Sequence, residues 1–353
     1  MANLNKTISK WKSLQPLSET EQARLNKKFT TDFNYNSNHI EGNTLTYGQT
    51  EILLLFGKVI GEAKMHDLEE MKASNVGLKM MIEEATTMQT PLSETFIRQL
   101  HKILLREDYV VYRNLPGGLQ SSYTVHAGCY KTRPNSVITR YGDRFEYASP
   151  DETPFLMGDL VRWYNAEEEK GEMSPIDLAC LFHYRYIRIH PFEDGNGRIA
   201  RMMVNFILAR HGLPMIVVRS RNKPEYLDAL HETDILVGAL PFEGANATLD
   251  MITPFREYFT KMIEEEISGD ISFVTEHSEL IWWYDGQKIV LRSPTTGQLL
   301  RLLTSNTHLG ITELSEKLDI STTAVQKQLN NLQKKGYILK ADGKWYVSIT
   351  PSM

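Results

Sequence analysis

The chain has 353 residues, which is long enough for two or three domains with their own hydrophobic cores. A hydrophobic content of 41%, a charged content of 24% and a formal net charge of -5 are typical of a soluble globular protein, with no overall attraction to nucleic acid or anionic membrane. The only two cysteines, Cys129 and Cys180, form neither a zinc-binding pattern nor a disulfide framework. No apolar run is long enough to span a bilayer, and the polar N-terminus does not resemble a signal peptide. We therefore expect a cytoplasmic protein with no membrane partner.

Residues 1–90 are predicted to form an N-terminal helical region. The segment Trp11–Phe33 is amphipathic and charged, and a second helix is expected from about Ala63 to Glu84. Between them, Thr46 and Gln49 have the spacing of a capping box, which predicts the start of a further helix.

Residues 91–265 are predicted to form a mostly helical core. Helices are expected near Phe96, after Pro154 and after Ser174-Pro175, where proline occupies the first helical position. Two β-prone runs interrupt this pattern and flank a glycine-containing turn, which indicates a β-hairpin. The first run is Val137, Ile138 and Thr139, and the second is Phe145–Tyr147.

Residues 266–293 are expected to be a linker, and residues 294–353 a small winged helix-turn-helix domain. The predicted helices are Gly297–Leu303, Ile311–Leu318 and a third helix capped by Ser321. Two β-prone runs around Asp342-Gly343 would form the hairpin of the wing.

The segment with the clearest chemical content runs from His190 to Arg201 and reads HPFEDGNGRIAR. A proline ends one helix, a glycine-containing loop follows, and an apolar helix begins. The N-terminus of a helix offers unpaired backbone N–H groups and the positive end of the helix dipole, both of which suit an anion. Arg198 and Arg201 are three residues apart and can face that anion together. This combination favours a polyphosphate over a single carboxylate.

Asp194 and His190 complete the predicted site. A carboxylate beside bound phosphate would be repelled, and Mg²⁺ between the two removes that conflict. A histidine has an ordinary pKa of about 6.5 and can accept a proton at neutral pH. These groups together describe the attack of a hydroxyl on a nucleotide phosphate.

This segment resembles the Fic family, whose motif HPFx(D/E)GNGRxxR is matched at every fixed position. The resemblance covers about residues 90–260 and implies a mainly α fold, with a helical core, a β-hairpin flap and transfer of AMP from ATP to a Ser, Thr or Tyr hydroxyl of a target protein. By similarity, His190 would be the general base, and Asp194 would hold Mg²⁺. Phe192 would anchor the loop in the core. The residues implied in phosphate binding are Gly195, Asn196, Gly197, Arg198 for the β-phosphate and Arg201 for the γ-phosphate.

The resemblance also assigns a role to the hairpin that contains Val137, Ile138 and Thr139. In the family, this flap holds a segment of the target protein by strand addition. The alternative is an ordinary surface hairpin.

A second family motif, (S/T)xxxE(G/N), matches the N-terminal segment Ser37-Asn38-His39-Ile40-Glu41-Gly42. Ser37 and Glu41 are four residues apart and would share a face of a short helix at about residues 35–42 that ends at Gly42. In the family this motif implies inhibition within the chain, in which Glu41 would form a bidentate pair with Arg201. The alternative is a solvent-exposed turn.

Three other functions are compatible with the sequence. The C-terminal domain has seven Lys/Arg and four Asp/Glu from Pro294 onward, a net charge of +3, which is compatible either with a DNA-binding regulator or with a protein-docking or dimerising module. The motif loop does not distinguish ATP from another nucleoside triphosphate. Retention of Glu41 leaves open an enzyme that removes AMP. The target protein is unknown, with the chain itself one candidate, and release of inhibition by a change of homo-oligomer is compatible with the sequence.

Overall fold

The computed structural model describes residues 2–88, 90–114, 120–138, 142 and 144–352. The fold is mainly helical with small antiparallel sheets, which confirms the predicted fold class. Chain contacts divide it into two compact units. The first comprises residues 72–263, and the second comprises residues 2–71 together with 264–353.

The helices of the described chain are α1 (Ala2–Ser13), α2 (Glu19–Ile40), α3 (Tyr47–Phe56), α4 (Met65–Glu83), α5 (Glu94–Leu105), α6 (Thr153–Lys170), α7 (Pro175–Ile189), α8 (Asn196–Arg210), α9 (Lys223–Val237), α10 (Pro241–Ala245), α11 (Thr253–Thr275), α12 (Pro294–Ser305), α13 (Ile311–Leu318) and α14 (Thr322–Lys334). The strands are β1 (Tyr109–Asn114), β2 (Gln120–Val125), β3 (Ser136–Ile138), β4 (Arg144–Glu146), β5 (Ile281–Tyr284), β6 (Gln287–Val290), β7 (Ile338–Ala341), β8 (Lys344–Val347) and β9 (Thr350–Pro351).

Local capping signals in the sequence set several helix starts. Thr46 and Gln49 form the predicted capping box at α3, with the Gln49 N–H donating to Thr46 Oγ1 at 3.2 Å and the Thr46 N–H donating to Gln49 Oε1 at 2.9 Å. Ser174 and Ser321 likewise accept hydrogen bonds from the backbone of the first turns of α7 and α14. Each bond satisfies an N–H group that would otherwise lack a partner within its helix.

Helix α7 lies at the centre of the first unit and determines where His190 is placed. Twelve of its fifteen residues are buried, which is the pattern of a helix surrounded by protein on all sides. It packs beside α8, which is also almost entirely buried. The motif loop therefore joins two core helices.

The first unit also contains two β-hairpins. Strands β3 and β4 pair with Val137 opposite Phe145 and Ile138 opposite Arg144, which places the predicted hairpin, while Thr139 lies outside the described residues. Strands β1 and β2 form a second hairpin, for which the sequence analysis made no prediction.

The C-terminal part of the second unit contains the winged helix-turn-helix elements. Helix α13 has the predicted bounds, and α12 begins three residues earlier than expected. The core includes the apolar face of α14, in which Val325, Leu329 and Leu332 are buried. Strands β7 and β8 supply the wing hairpin.

Residues 266–293, expected to be a linker, contain the end of α11 and the hairpin β5–β6. β5 is the central strand of a three-stranded sheet with the order β6-β5-β9. Its two tryptophans are both buried: Trp282 belongs to the core of the winged domain, and Trp283 makes an edge-on contact with Phe273 of α11 at 5.8 Å.

The N-terminal segment predicted as a short helix at residues 35–42 is the end of the 22-residue helix α2. Asn34, Asn36 and Asn38 are buried, and the side chains of Asn36 and Asn38 donate back to the helix at Asp32 and Asn34. The polar composition suggested a short separate element, but these residues are buried, and Asn36 and Asn38 contact Asp285 and Met71 of the same unit. Helix α2 ends at Ile40 with Glu41 as its C-cap residue, and Gly42 follows with a positive φ of 102°.

Among the described residues, no helix combines the length and the apolar character needed to cross a membrane.

Candidate active site

The motif loop is shaped by two residues with positive φ. His190 directly follows α7, adopts φ 50° and ψ 60°, and donates its N–H to the Tyr186 carbonyl at 2.9 Å. Gly195 precedes α8 with φ 76°, a conformation that glycine adopts without steric cost. A histidine in this region is uncommon, so the surrounding contacts must hold it there.

The N-terminus of α8 has the features of an anion site. Asn196, Gly197 and Arg198 are its first three residues, so their N–H groups have no acceptor within the helix. The side chain of Asn196 faces the loop itself, because its Oδ1 accepts from the Phe192 N–H at 2.9 Å and its Nδ2 donates to the Phe192 carbonyl at 2.7 Å. Asn196 therefore offers a backbone group to an anion, while its side chain closes the loop.

The side chains of Phe192 and His101 pack together and hold the motif loop in position. Phe192 is fully buried, as expected, and its ring stacks on His101 with centroids 3.7 Å apart. The Gly128 N–H donates to His101 Nδ1 at 2.9 Å, so the ring proton is on Nε2, which donates to the Asp194 carbonyl at 3.1 Å. Burial lowers the pKa of His101 to about 4. His101 is therefore neutral near pH 7 and orients the loop as a hydrogen-bond donor.

Asp194 is a charged carboxylate held by three groups. Burial raises the pKa of Asp194, but Arg198 and the hydrogen bonds from Tyr109 and Gly195 outweigh it and leave the pKa below its usual value. The Tyr109 hydroxyl donates to Oδ2 at 2.7 Å, and the Gly195 N–H donates to Oδ1 at 2.6 Å. The Arg198 guanidinium lies 3.4 Å from Oδ2.

The segment that enters the β3–β4 hairpin is bonded to the motif loop at several points. Lys131 donates to the carbonyls of Ile189 and His190, and Asn135 Nδ2 donates to the Phe192 carbonyl at 3.0 Å. The Thr132 hydroxyl donates to Glu193 at 3.0 Å. Glu193, to which the sequence analysis gave no role, therefore joins the loop to the hairpin stem.

The far strand of the hairpin leads directly to His190. The ring of Tyr147, which follows β4, stacks on the His190 imidazole with centroids 3.9 Å apart. Phe145 of β4 lies 4.8 Å from the guanidinium of the buried Arg188. Both stems of the hairpin therefore contact the end of α7 or the loop that follows it.

Arg201 lies in the buried face of α8 and is 2% exposed. His183 of α7 is near enough for the positive charge of Arg201 to act on it: burial first, and Arg201 second, lower the pKa of His183 to about 3. The hydroxyl of Tyr226, a buried residue of α9, lies 2.9 Å from His183 Nε2. Asn205, one helical turn beyond Arg201, bonds the backbone of Ile216.

Ser37 and Glu41 belong to the second unit. Ser37 is 2% exposed, and Glu41 is an exposed residue at the end of α2 whose N–H donates to the Asn38 carbonyl at 3.0 Å. The pairing of Glu41 with Arg201 stays a prediction.

Four residues of the site were missed by the sequence analysis: His101, Tyr109, Lys131 and Glu193. Glu193 is the variable position of the motif itself, whereas His101, Tyr109 and Lys131 are distant in sequence and reach the motif loop only through the fold. For His101 the available signal was the apolar helical pattern of α5, in which His101 shares a buried face with Leu100 and Leu104.

Comparison with known proteins identifies both parts of the chain. A profile of the Fic/DOC family matches residues 91–208, and a profile of winged helix-turn-helix DNA-binding domains matches residues 292–338. Protein adenylyltransferase fic-1 of Caenorhabditis briggsae is 29% identical over 233 residues, which are 66% of this chain and 39% of that protein. The chain thus spans about two fifths of the length of this curated relative.

Solved structures of Fic proteins match a larger part of this chain than the family profile does. A Fic domain containing signaling protein from Bacteroides thetaiotaomicron is 52% identical, has a TM-score of 0.71, and is matched over 76% of this chain and 96% of its own length. A Fic family protein from Desulfovibrio desulfuricans is matched over 98% of this chain and 94% of its own, with a TM-score of 0.56 and 19% identity, which shows a shared fold. With the motif loop, its supporting contacts and these matches taken together, the chain belongs to the Fic family.

Proposed function

We propose that this protein is an adenylyltransferase that moves AMP from ATP to a Ser, Thr or Tyr hydroxyl of a protein. The observation that carries the proposal is the arrangement of the motif loop. The loop places His190, a potential base, a few residues before the N-terminus of α8, a potential phosphate site. Contacts of the buried His101 with Phe192 and with the Asp194 carbonyl hold the loop in place. Three curated relatives, from Caenorhabditis briggsae, Caenorhabditis elegans and Nematostella vectensis, are named protein adenylyltransferases, which supports the same reaction.

In this mechanism His190 takes the proton from the attacking hydroxyl, whose oxygen then forms a bond to the α-phosphorus of ATP. The bond from that phosphorus to the β,γ-diphosphate breaks, and pyrophosphate leaves. The N–H groups of Asn196, Gly197 and Arg198 stabilise phosphate charge, as prearranged donors do at other phosphate sites. The Arg198 and Arg201 guanidiniums are assigned to the β- and γ-phosphates, respectively.

Asp194 is the residue assigned to Mg²⁺. Its carboxylate is charged and its side chain is 44% exposed, so it can offer an oxygen to a cation. Mg²⁺ is commonly bound by one or two carboxylates together with the phosphates of a nucleotide, a role that Asp194 could fill. When bound, Mg²⁺ would neutralise phosphate charge.

We further propose that Glu41 restrains the enzyme by pairing with Arg201, with Ser37 supporting the end of α2. Pairing would withdraw the guanidinium from the γ-phosphate and leave ATP in an unproductive position. A displacement of about 1 Å at the reacting atoms can cost about 100-fold in rate. Glu41→Gly should therefore raise AMP transfer, and Ser37→Ala should raise it less.

The hairpin β3–β4 is proposed to hold the target segment. It is a two-stranded sheet of described residues, so its strands have backbone groups available for an added strand. The stacking of Tyr147 on His190 supports this role, because it brings the hairpin stem against the proposed base.

The test uses intact mass spectrometry after incubation with ATP, Mg²⁺ and cell lysate. Glu41→Gly is compared with the unaltered chain and with Glu41→Gly/His190→Ala. We expect an AMP adduct, on this chain or on a lysate protein, that is strong in Glu41→Gly and absent in the double variant. No adduct in any sample would contradict the proposal and favour AMP removal or another nucleotide.

A second candidate function is DNA binding by the winged domain. The outer face of α14 and the start of α13 line a shallow depression of about 570 Å³, whose residues are Ile311, Thr322, Thr323, Gln326, Lys327 and Asn330. Amide side chains on such a helix can read base edges, and lysine can contact phosphate. Fluorescence anisotropy with a duplex library at two salt concentrations tests this candidate. Lys327→Gln should weaken binding and reduce its salt dependence, whereas equal binding would contradict a phosphate contact.

A cytoplasmic setting and a homo-oligomeric state stay predictions from the sequence.

A further inference from the structure

Lys131 is a buried lysine at the meeting point of the hairpin stem and the motif loop. It is 3% exposed, and its ammonium donates to Asn135 Oδ1 at 2.8 Å, to the Ile189 carbonyl at 3.1 Å and to the His190 carbonyl at 2.9 Å. Its own N–H donates to the Pro191 carbonyl at 2.9 Å. Burial lowers the pKa of Lys131 to about 7, but three acceptors at hydrogen-bonding distance match the three donors of the ammonium form.

The Lys131 side chain provides hydrogen-bond donors for the backbone carbonyls at the C-terminal end of α7. The last carbonyls of a helix have no intrahelical donor, and a positive charge at this end is favourable because the helix dipole is negative there. His190 also needs external support, since a left-handed backbone conformation is unfavourable for histidine. Lys131 provides that support through the carbonyl of His190 itself.

We propose that Lys131 is a positioning residue for AMP transfer. It fixes the backbone of His190, and hence the direction of the imidazole, and it ties that backbone through Asn135 to the hairpin proposed to hold the target. The inference rests on the proposed role of His190, and it predicts a lower rate of transfer without weaker ATP binding.

The first test measures AMP transfer at varied ATP concentration in the Glu41→Gly background. Lys131→Met should reduce the maximal rate by about 10- to 100-fold, because the base is misplaced, with little change in the ATP concentration for half-maximal rate. Lys131→Arg keeps the charge and the hydrogen-bond donors, so its maximal rate of AMP transfer should fall less. Lys170→Met is the matched control, since Lys170 is an exposed lysine paired with Glu167, and it should match the parent.

The second test does not depend on activity. NMR spectra are recorded on protein with isotope-labelled histidine, and the His190 imidazole signal is identified by its loss in His190→Ala. The chemical shift of this signal should change in Lys131→Met and stay near its original value in Lys131→Arg. The His211 signal, from a partly exposed ring bonded to Glu168, serves as the internal reference. Transfer at the parental rate, or an unmoved His190 signal in Lys131→Met, would overturn the inference. Absence of AMP transfer in the Glu41→Gly parent would instead count against the proposed function. The His190 signal in Lys131→Met would still show whether Lys131 positions His190.

A separate observation concerns the end of α2 and the winged domain, which lie in the same compact unit. Asn36, directly before Ser37, is fully buried, and its Nδ2 donates to Asp285 Oδ1 at 2.7 Å. Asp285 is in the turn between β5 and β6, where φ is 46° and the next residue is Gly286 with φ 69°. Asp-Gly is a preferred pair for such a two-residue hairpin turn. A well-defined turn therefore presents a carboxylate to the last turns of α2.

Aromatic rings continue this contact toward the wing. The ring centroids of Tyr35 of α2 and Tyr47 are 5.3 Å apart, and those of Tyr47 and Tyr284 of β5 are 4.6 Å apart. The ring of Tyr284 in turn lies 5.4 Å, centroid to centroid, from that of Tyr337 beside β7. Pairs at these separations stabilise a contact by about 0.5–1.5 kcal/mol beyond their buried area. The end of α2 is thus fixed to the winged domain by one charge-assisted hydrogen bond and a row of rings.

We infer that the winged domain is the anchor of the inhibitory segment and sets how well Glu41 can act. A weaker anchor would let the last turn of α2 open and would raise AMP transfer. This inference rests on the proposed inhibition by Glu41.

The test pair is Asp285→Gly and Asp285→Asn. Glycine keeps the left-handed turn and removes the carboxylate, whereas asparagine keeps both the turn and an acceptor for Asn36. Asp285→Gly should raise transfer several-fold, and Asp285→Asn should not. In the Glu41→Gly background Asp285→Gly should add nothing, because the two changes would act through one restraint.

Hydrogen exchange provides the readout that is independent of catalysis. Exchange of the amides at residues 36–41 should be faster in Asp285→Gly and unchanged in Asp285→Asn. The inference is overturned if exchange in this segment is unaffected, if transfer does not rise while Glu41→Gly still activates, or if Asp285→Gly activates further in the Glu41→Gly protein. If Glu41→Gly itself does not activate, the inhibition fails as a proposal, and the exchange result decides whether the anchor exists.

Discussion

Acid should destabilise the first unit through His101. Burial lowers the pKa of His101 from 6.5 to about 4, so the folded protein holds this ring neutral over a range in which the unfolded chain takes up a proton. The resulting stability is fully present above pH 6.5, declines as the pH falls, and is lost below about pH 4. A shift of this size corresponds to about 3 kcal/mol in total, of which about 2 kcal/mol would be lost between pH 7.5 and pH 5.

The assay compares the free energy of unfolding in urea for the unaltered chain and for His101→Gln at these two pH values. Other titrating groups are common to both proteins and cancel in the difference. His101→Gln should be less stable at pH 7.5, because it loses the stacking on Phe192, but should lose about 2 kcal/mol less on acidification. Equal losses in the two proteins would refute the assignment of a neutral, buried His101.

Two further predictions concern packing. Gly244→Ala would place a Cβ 2.3 Å from the Arg188 Nε atom and should destabilise the protein by about 1–3 kcal/mol or more. The matched change Gly269→Ala meets nothing within 4 Å and should be neutral or stabilising by up to about 1 kcal/mol; thermal unfolding of both variants checks the pair, and equal effects would contradict the packing argument. Leu329→Ala should cost about 2–5 kcal/mol, because Leu329 is fully buried in the winged domain, and an unchanged unfolding midpoint of that domain would contradict its place in the core.

Local signals predicted the parts of the fold that depend on neighbouring residues. The capping box at Thr46, the serine cap at Ser321 and the bounds of α13 follow from short-range hydrogen bonds and helical periodicity. The residues of the motif loop were predictable because their types and spacing carry the chemistry.

Contacts between distant parts of the chain were not predictable in the same way. His101 reaches the Asp194 carbonyl across 93 residues, and Asn36 reaches Asp285 across 249. The length of α2 was missed for the same reason, because a run of asparagines looks exposed until its tertiary partners are known. The run from Tyr109 to Tyr112, aromatic and β-branched, was a strand signal that went unused.

The most direct measurement of the central claim uses ATP labelled at either the α- or the γ-phosphate, with the Glu41→Gly protein, Mg²⁺ and acceptor protein. Protein should retain label from α-labelled ATP and none from γ-labelled ATP, and the α-label signal should disappear when His190 is changed to Ala. Retention of the γ-label, or α-label transfer that survives His190→Ala, would contradict it.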